Sequence, residues 1–256
     1  MSQPDSADRD AGPPRFSITS IALAVCVLGQ CALARAAEDH TPTPETMPLD
    51  ELIAHRTREL TGYQDAAYAR RYADQVAKVA AAEEPLGSDK LTEAVARYFF
   101  KLMAYKDEYE VARLYTSGDF LKRVAQQFEG DYQVRFHLAP PLFAKRDEQG
   151  RLQKKEYGPW MFKAFGLLAR LKGLRGSRFD IFGHTAERRG ERQLIADYER
   201  TLQELLGSLD AGRLALAVEI ASIPEHIRGY GHVKEAHLHD ARAREAALLA
   251  TCRNPK

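Results

Sequence analysis

The sequence contains few cysteines, and their spacing matches no familiar cluster. Its three cysteines are Cys26, Cys31 and Cys252, and no Cys-x-x-Cys pair occurs. A structural zinc site takes four ligands, and an iron–sulfur cluster usually takes four thiolates. Three scattered thiols therefore exclude a cluster that cysteine alone would hold. Their odd number in a chain of this size also argues against a disulfide framework.

Charge of one sign is also missing. The chain has 37 Lys and Arg against 36 Asp and Glu, which leaves a formal net charge of +1. Such a chain has no long-range electrostatic attraction for polyanions, so we expect no nucleic-acid partner. Its 256 residues, 45% hydrophobic and 29% charged, are enough for one large domain or two small ones with an ordinary core.

No apolar run is long enough for a membrane span, which needs about 20 residues. The longest run in the N-terminal segment, Ile21–Leu28, instead suits the centre of a secretory signal, and Ala34-Arg35-Ala36 offers a small-x-small cleavage pattern. Against a signal, the preceding residues carry three aspartates and only two arginines. We interpret residues 1–47 as a disordered tail, a signal-like stretch at 17–36 and a linker. Membrane association is not expected.

From Leu49 onwards, apolar residues recur at helical spacing. One helix of about 35 residues is predicted from Leu49, with a kink at Gly62 and an end at Pro85 and Gly87. Alternating residues from Tyr132 to Leu138 predict a strand, and a hairpin turn is expected at Asp147–Gly150. The predicted fold is mostly α, a bundle-like helical domain over residues 48–254, with a small β-hairpin or strand insertion around 130–157.

A cationic stretch, LARLKGLRGSR at residues 168–178, carries four basic residues and two glycines. It could contact a phosphate, although it lacks the order of a P-loop. The alternative is a cationic helix end, which the helix dipole favours, and this is the preferred interpretation.

The most unusual stretch is IPEHIRGYGHVKEAHLHDAR, residues 223–242, with four of the eight histidines. If a helix starts near Gly231, then His232, Glu235 and His239 fall on one face and could bind zinc or iron. The spacing is not the H-E-x-x-H of a known metal mechanism, and a solvated polar face is the preferred interpretation. An anionic ligand or a partner domain is a third possibility.

The two glycines of Arg228-Gly229-Tyr230-Gly231-His232 let a backbone approach a ligand, or they form a tight turn between helices. The turn is preferred. We take Arg228, Tyr230, His232 and Lys234 as candidate contacts to a neighbouring domain or ligand. No catalytic, cofactor-binding or metal residue is assigned.

Long segments of the body resemble one family. They include YQDAAYARRY, YFFKLMAYKDEYEVARLYT, FDIFGHTAERRGER and LAVEIASIPEHIRGYGHVKE. These segments are similar to the C-terminal region of the long, single-chain indolepyruvate ferredoxin oxidoreductases. The resemblance covers about residues 48–252, and that C-terminal region is a domain of unknown function.

The resemblance implies oxidative decarboxylation of aryl 2-oxo acids to acyl-CoA, with thiamine diphosphate, iron–sulfur clusters and ferredoxin. These cofactors and CoA are implied only for the full-length proteins, since this chain has no GDG…N segment and too few cysteines. It is therefore expected to be an accessory domain that is catalytically silent alone. Its implied partners are the catalytic domains or subunits of a 2-oxoacid:ferredoxin oxidoreductase, and its implied compartment is the cytoplasm. Export is the alternative if the signal-like stretch is real.

Overall fold

The computed structural model describes residues 15–18, 43–128, 133–138, 155–229 and 232–254. At 15–18 and 232, the description covers the backbone. Most of the signal-like stretch and the predicted hairpin turn at Asp147–Gly150 lie outside these ranges. Among the described helices, none is both long and apolar enough to cross a membrane.

The described residues are mostly helical, which confirms the predicted fold class. The α-helices are α1 (Leu49–Tyr63), α2 (Ala66–Glu83), α3 (Lys90–Met103), α4 (Glu108–Thr116), α5 (Asp119–Gln127), α6 (Met161–Arg170), α7 (Ala186–Leu206), α8 (Leu214–Ala221) and α9 (His232–Arg253). The strands are β1 (Arg15–Ile18), β2 (Gln133–Leu138) and β3 (Lys155–Tyr157). Two of the three strands lie in the region predicted to hold the β insertion.

The chain divides into two compact units, which the sequence did not separate. The helical unit contains residues 44–110 and 171–256, and the mixed unit contains residues 1–43 and 111–170. Each unit has its own apolar cluster. Two separate clusters, rather than one continuous core, explain the division.

The core of the helical unit forms where α1, α2 and α3 pack together with α7 and α8. Two of its buried tyrosines donate their hydroxyls to backbone carbonyls of other segments. Tyr72 donates to Ala96 O at 2.8 Å, and Tyr198 donates to Ala221 O at 2.8 Å. Because a buried hydroxyl without a partner is unfavourable, these bonds fix which helices are neighbours as well as filling volume.

The prediction of one long first helix was wrong. The helix ends at Tyr63, and a new one begins at Ala66 after Asp65, whose carboxylate accepts a hydrogen bond from Tyr68 N at 2.8 Å. An aspartate N-cap satisfies a free amide of the new helix. The break lets the two helices fold back on each other, and α1 and α2 are extensively in contact.

Glu83 is fully buried at the end of α2, and it caps the helix that follows. Its carboxylate accepts hydrogen bonds from Leu91 N, Thr92 N and the Thr92 hydroxyl, each at 2.8 Å. Burial opposes its charge, but these donors from Leu91 and Thr92 hold the pKa of Glu83 below its ordinary value. The connection between α2 and α3 is thereby fixed.

The mixed unit is built on a sheet with strand order β1–β2–β3. β2 pairs antiparallel with β3 and parallel with β1. The first of these pairings confirms the strand predicted from Tyr132 to Leu138. Phe136 is buried among Tyr115, Phe162 and Phe165, with ring centroids 4.8–5.3 Å apart. Edge-to-face contacts of this kind stabilise an aromatic cluster beyond the area that it buries.

Candidate functional site

Two of the four predicted contact residues have described side chains, and both are held by internal bonds. Arg228 donates from Nε to Glu225 O at 3.0 Å and from a terminal nitrogen to the Glu225 carboxylate at 3.2 Å. Lys234 forms an ion pair with Glu191 of α7. Tyr230 lies outside the described residues, and for His232 the structure gives only the backbone at the start of α9.

The turn predicted at 228–232 is described only as far as Gly229 and again from the helix start at His232, so it stays a prediction. Gly229 has φ +86°, and a Cβ there would lie 2.8 Å from Val233 Cγ1. Only glycine combines that backbone conformation with so close an approach. The described part of this segment therefore serves the entry into α9.

The histidine-rich stretch lines a surface depression of about 450 Å³. Its lining residues are His226, Arg228, His237, Asp240, Ala241 and Arg244.

The polar groups of this depression bind one another. His237 Nδ1 lies 2.8 Å from Arg228 O, and Arg244 donates to His226 Nε2 at 3.2 Å and to the Glu219 carboxylate at 2.8 Å. Glutamates neutralise both arginines, so the depression carries little net charge. Its chemistry is that of a polar junction between the 3₁₀ turn at Ile223–His226 and α9.

The candidate metal set is only partly described. Glu235 is exposed, and His239, 86% exposed, lies 3.4 Å from Asp240. Within the described side chains, no group of three or more His, Cys, Asp or Glu could hold a metal ion. His232 falls outside that search, so the metal interpretation of this stretch stays a prediction.

Lys101 lies beside the predicted contact residues, and sequence reasoning missed it. Its ammonium donates to Pro224 O at 2.7 Å and to Glu225 O at 3.0 Å. Burial, the positive charge of Arg228 and that of Lys234 lower the pKa of Lys101 to about 8, against the opposing charge of Glu225. Helical spacing gave no signal for it, since the carbonyls come from a segment more than 120 residues away.

The cationic stretch at 168–178 supplies a buried positive charge to the helical unit. Arg175, 6% exposed, makes a two-point bond to Asp107, 4% exposed, with N–O distances of 2.5 and 2.9 Å. It also donates to Tyr63 O at 2.7 Å, and its guanidinium lies 3.7 Å from the centre of the Tyr63 ring. Burial disfavours the charge, yet Asp107, Tyr63 and Tyr105 together hold the pKa of Arg175 above the ordinary value.

Lys172 extends the same arrangement. It donates to Gly62 O at 2.6 Å and Thr61 O at 3.3 Å. Together with Arg175 at Tyr63 O, it satisfies the free carbonyls at the end of α1, where positive charge is favoured by the helix dipole. Arg170 lies in the last turn of α6, as the interpretation of a cationic helix end predicts, whereas Lys172 and Arg175 bind carbonyls at the end of α1.

The chain from 176 to 184, which we call the Asp180 loop, is organised around one buried carboxylate. Asp180 is 3% exposed and accepts from Gly176 N at 2.7 Å, Gly183 N at 2.9 Å and Phe182 N at 3.2 Å. The Tyr109 hydroxyl, 3.1 Å away, donates to it as well. A loop with four bonds to one buried carboxylate is conformationally fixed.

This loop exposes two large apolar side chains, one on each side of Asp180. Phe179 is 68% exposed and Ile181 is 61% exposed. Sequence reasoning identified the segment only as a loop. The apolar residues on both sides of Asp180, in a segment bounded by two glycines, were the available signal for this site. The sequence could not show that Asp180 is buried, because its partner Tyr109 lies 71 residues away.

Comparison with known proteins identifies a family but no function. No curated protein and no solved structure matches this chain. One family model, described as a family of unknown function (DUF6537), matches residues 49–247, which is more than half of the sequence. The chain therefore belongs to the DUF6537 family of unknown function.

Proposed function

We propose that this chain is an accessory domain that packs on the catalytic domains of a 2-oxoacid:ferredoxin oxidoreductase of the indolepyruvate type and is catalytically silent alone. The observation that carries the proposal is the extent of the resemblance. The similar segments run through residues 48–252, and the family match covers 49–247, nearly the same body.

The chemistry of the helical unit supports a role in packing and binding. Its buried ionisable groups Glu83, Asp107, Arg175 and Asp180 all have internal hydrogen-bond partners. Each of them fixes a helix end or a loop. Burying a charge at such junctions favours one conformation of the backbone, which is what an accessory domain needs when it presents a surface to a partner.

The proposal assigns no cofactor to this chain. Thiamine diphosphate, iron–sulfur clusters and CoA would bind the catalytic domains, and the compartment would be the cytoplasm, where ferredoxin stays reduced. A role in shaping subunit contacts or substrate entry follows from an accessory position.

The test uses the purified chain and the catalytic domains, prepared as a ferredoxin oxidoreductase from which this region has been deleted. The chain alone should not reduce a viologen dye when given indolepyruvate, thiamine diphosphate and CoA. Mixed with the catalytic domains, it should form a stable complex in sedimentation and raise their activity or thermal stability. Turnover by the chain alone, or no complex at micromolar concentration, would contradict the proposal.

The alternative is an exported or stand-alone helical protein that binds a metal or another ligand through His232, Glu235 and His239. Glu235 and His239 are both exposed on α9, so both are accessible to a metal or ligand, which favours this alternative. Metal analysis of the purified protein tests it. Retained zinc or iron near one equivalent, lost in His239→Ala but kept in a His237→Ala control, would support the alternative.

A further inference from the structure

We propose that the Asp180 loop is the docking element of the helical unit, and that Phe179 and Ile181 insert into an apolar pocket on a folded protein whose rim carries carboxylates. This inference rests on the proposed function, since the partner is taken to be the catalytic part of that enzyme.

Internal hydrogen bonds hold the Asp180 loop in one conformation in the unbound chain. Asp180 ties both ends of the loop together through Gly176 N and Gly183 N, and Gly183 O accepts from Arg192 at 2.7 Å. Phe182 packs edge-to-face on Tyr109, with ring centroids 5.5 Å apart. A segment held in one conformation loses little entropy on binding, which favours affinity.

The two apolar side chains are exposed, although the carboxylate between them is buried. Among the large apolar side chains of the described residues, Phe179 is the most exposed, and Ile181 lies two positions further on. A flexible loop would turn such groups inward, whereas the bonds of Asp180 prevent this. An aromatic residue beside an aliphatic one on a rigid support is typical of a binding hot spot.

The charge around the loop indicates what the partner carries. Arg178 and Arg189 are exposed, and within the described residues neither forms an ion pair with a carboxylate. Arg189 donates to His184 O at 2.5 Å. The exposed acid nearby, Glu187, lies 4.0 Å from Arg188. The surroundings of the loop are therefore positive, and a complementary surface has acidic residues around its apolar centre.

A folded protein fits these features better than a nucleic acid. Ile181 has no ring on which a base could stack, and the net charge of the whole chain is only +1. A second copy of the chain would bring two positive loops together if the same loops met, which is unfavourable.

The experiment measures binding of the intact chain to the catalytic domains, prepared as described above as a ferredoxin oxidoreductase that lacks this region. The test variant is Phe179→Ser with Ile181→Ser. The matched control is Leu167→Ser, because Leu167 is 63% exposed but belongs to the mixed unit. The double variant should bind about 30-fold more weakly or worse, which is the usual effect of removing a hot spot. The control should bind within about 2-fold of the unmodified chain.

Charge is tested by Arg178→Glu with Arg189→Glu. This variant should bind more weakly at low salt, and the difference should shrink as the salt concentration rises. Circular dichroism and thermal unfolding confirm that each variant is folded, as expected for exposed positions. A photo-crosslinking amino acid at position 179 should link to the catalytic protein, and one at position 167 should not.

The outcomes separate the two proposals. If the unmodified chain binds and the loop variants bind equally well, the docking proposal is overturned and the proposed function stands. If the unmodified chain does not bind at all, both are overturned. Loop-dependent dimerisation of the chain, or loop-dependent binding of single-stranded RNA in its place, would overturn the choice of partner.

Discussion

Replacement of Arg175 by methionine tests how much the buried Arg175–Asp107 ion pair stabilises the helical unit. The variant loses bonds of 2.5 and 2.9 Å to Asp107 and one of 2.7 Å to Tyr63 O. It leaves the carboxylate of Asp107, only 4% exposed, without its cation. Removal of one partner from a buried ion pair typically lowers the free energy of unfolding by about 3–5 kcal/mol.

The assay is urea unfolding of the purified chain followed by far-ultraviolet circular dichroism. For a slope of about 2–3 kcal/mol per molar urea, a loss of this size lowers the unfolding midpoint by about 1–2.5 M. Arg200→Met is the matched control, because Arg200 pairs with Asp197 but is 72% exposed. An exposed pair contributes only about 0–1 kcal/mol, so the control should move the midpoint very little.

Asp107→Asn closes a thermodynamic cycle. The asparagine keeps a carbonyl oxygen that can accept from Glu110 N, now 2.8 Å from Asp107, but loses the charge. The double variant should be more stable than the sum of the two single effects predicts, by about 1–3 kcal/mol. Single variants that each lose less than about 1 kcal/mol, or effects that simply add, would refute the claim that this pair holds the unit together.

Three further predictions follow from single sites. Glu83→Gln turns an amide group towards the donors of α3, so it should lower the free energy of unfolding by about 1–3 kcal/mol at neutral pH. The pKa of Glu83 in the folded chain lies below 4.5, so this advantage of the carboxylate should be present above pH 4.5. In acid-titration unfolding it should disappear as the pH falls through that folded pKa. Lys101 should react with an acylating reagent with a midpoint near pH 8, measured by mass spectrometry against the other lysines; a midpoint near 10.5 would contradict the geometry. Between about pH 8 and 10.5 the unfolded chain keeps a proton on Lys101 that the folded chain has lost, so the contribution of Lys101 to stability should rise with pH across that window. Gly183→Ala places a methyl group 2.3 Å from an Asp180 carboxylate oxygen, so limited proteolysis should cleave the Asp180 loop faster than in a Gly190→Ala control, where the space is open.

The sequence indicated the fold class because helical spacing and strand alternation are local signals. The strand at Gln133–Leu138 was found from alternation over seven residues. The break between α1 and α2 was missed because the continuous apolar spacing passes through it. An aspartate such as Asp65 can cap a helix, but its residue type alone does not show that a helix begins after it.

The candidate site shows the opposite limit. Basic residues at 168–178 were identified from the sequence, but which carbonyls and carboxylates they meet depends on contacts across more than 60 residues. A sequence pattern assigns Arg175 and Arg178 the same chemistry. The fold buries the first against Asp107, whereas the second is exposed and forms no ion pair among the described residues. The first stabilises the unit, and the second is assigned to the partner by the docking proposal.

This division of roles connects stability with the proposed docking. Arg175 lies immediately before the Asp180 loop, and Tyr109, which donates to Asp180, belongs to the same helix turn that Asp107 caps. Weakening the Asp107–Arg175 pair should therefore loosen the loop before it unfolds the helices. Arg175→Met at a temperature where its helix content is unchanged should already show faster cleavage at residues 176–184 and weaker binding to the catalytic protein. If cleavage and helix loss instead coincide, the loop and the unit unfold together, and the rigidity of the loop has no support of its own.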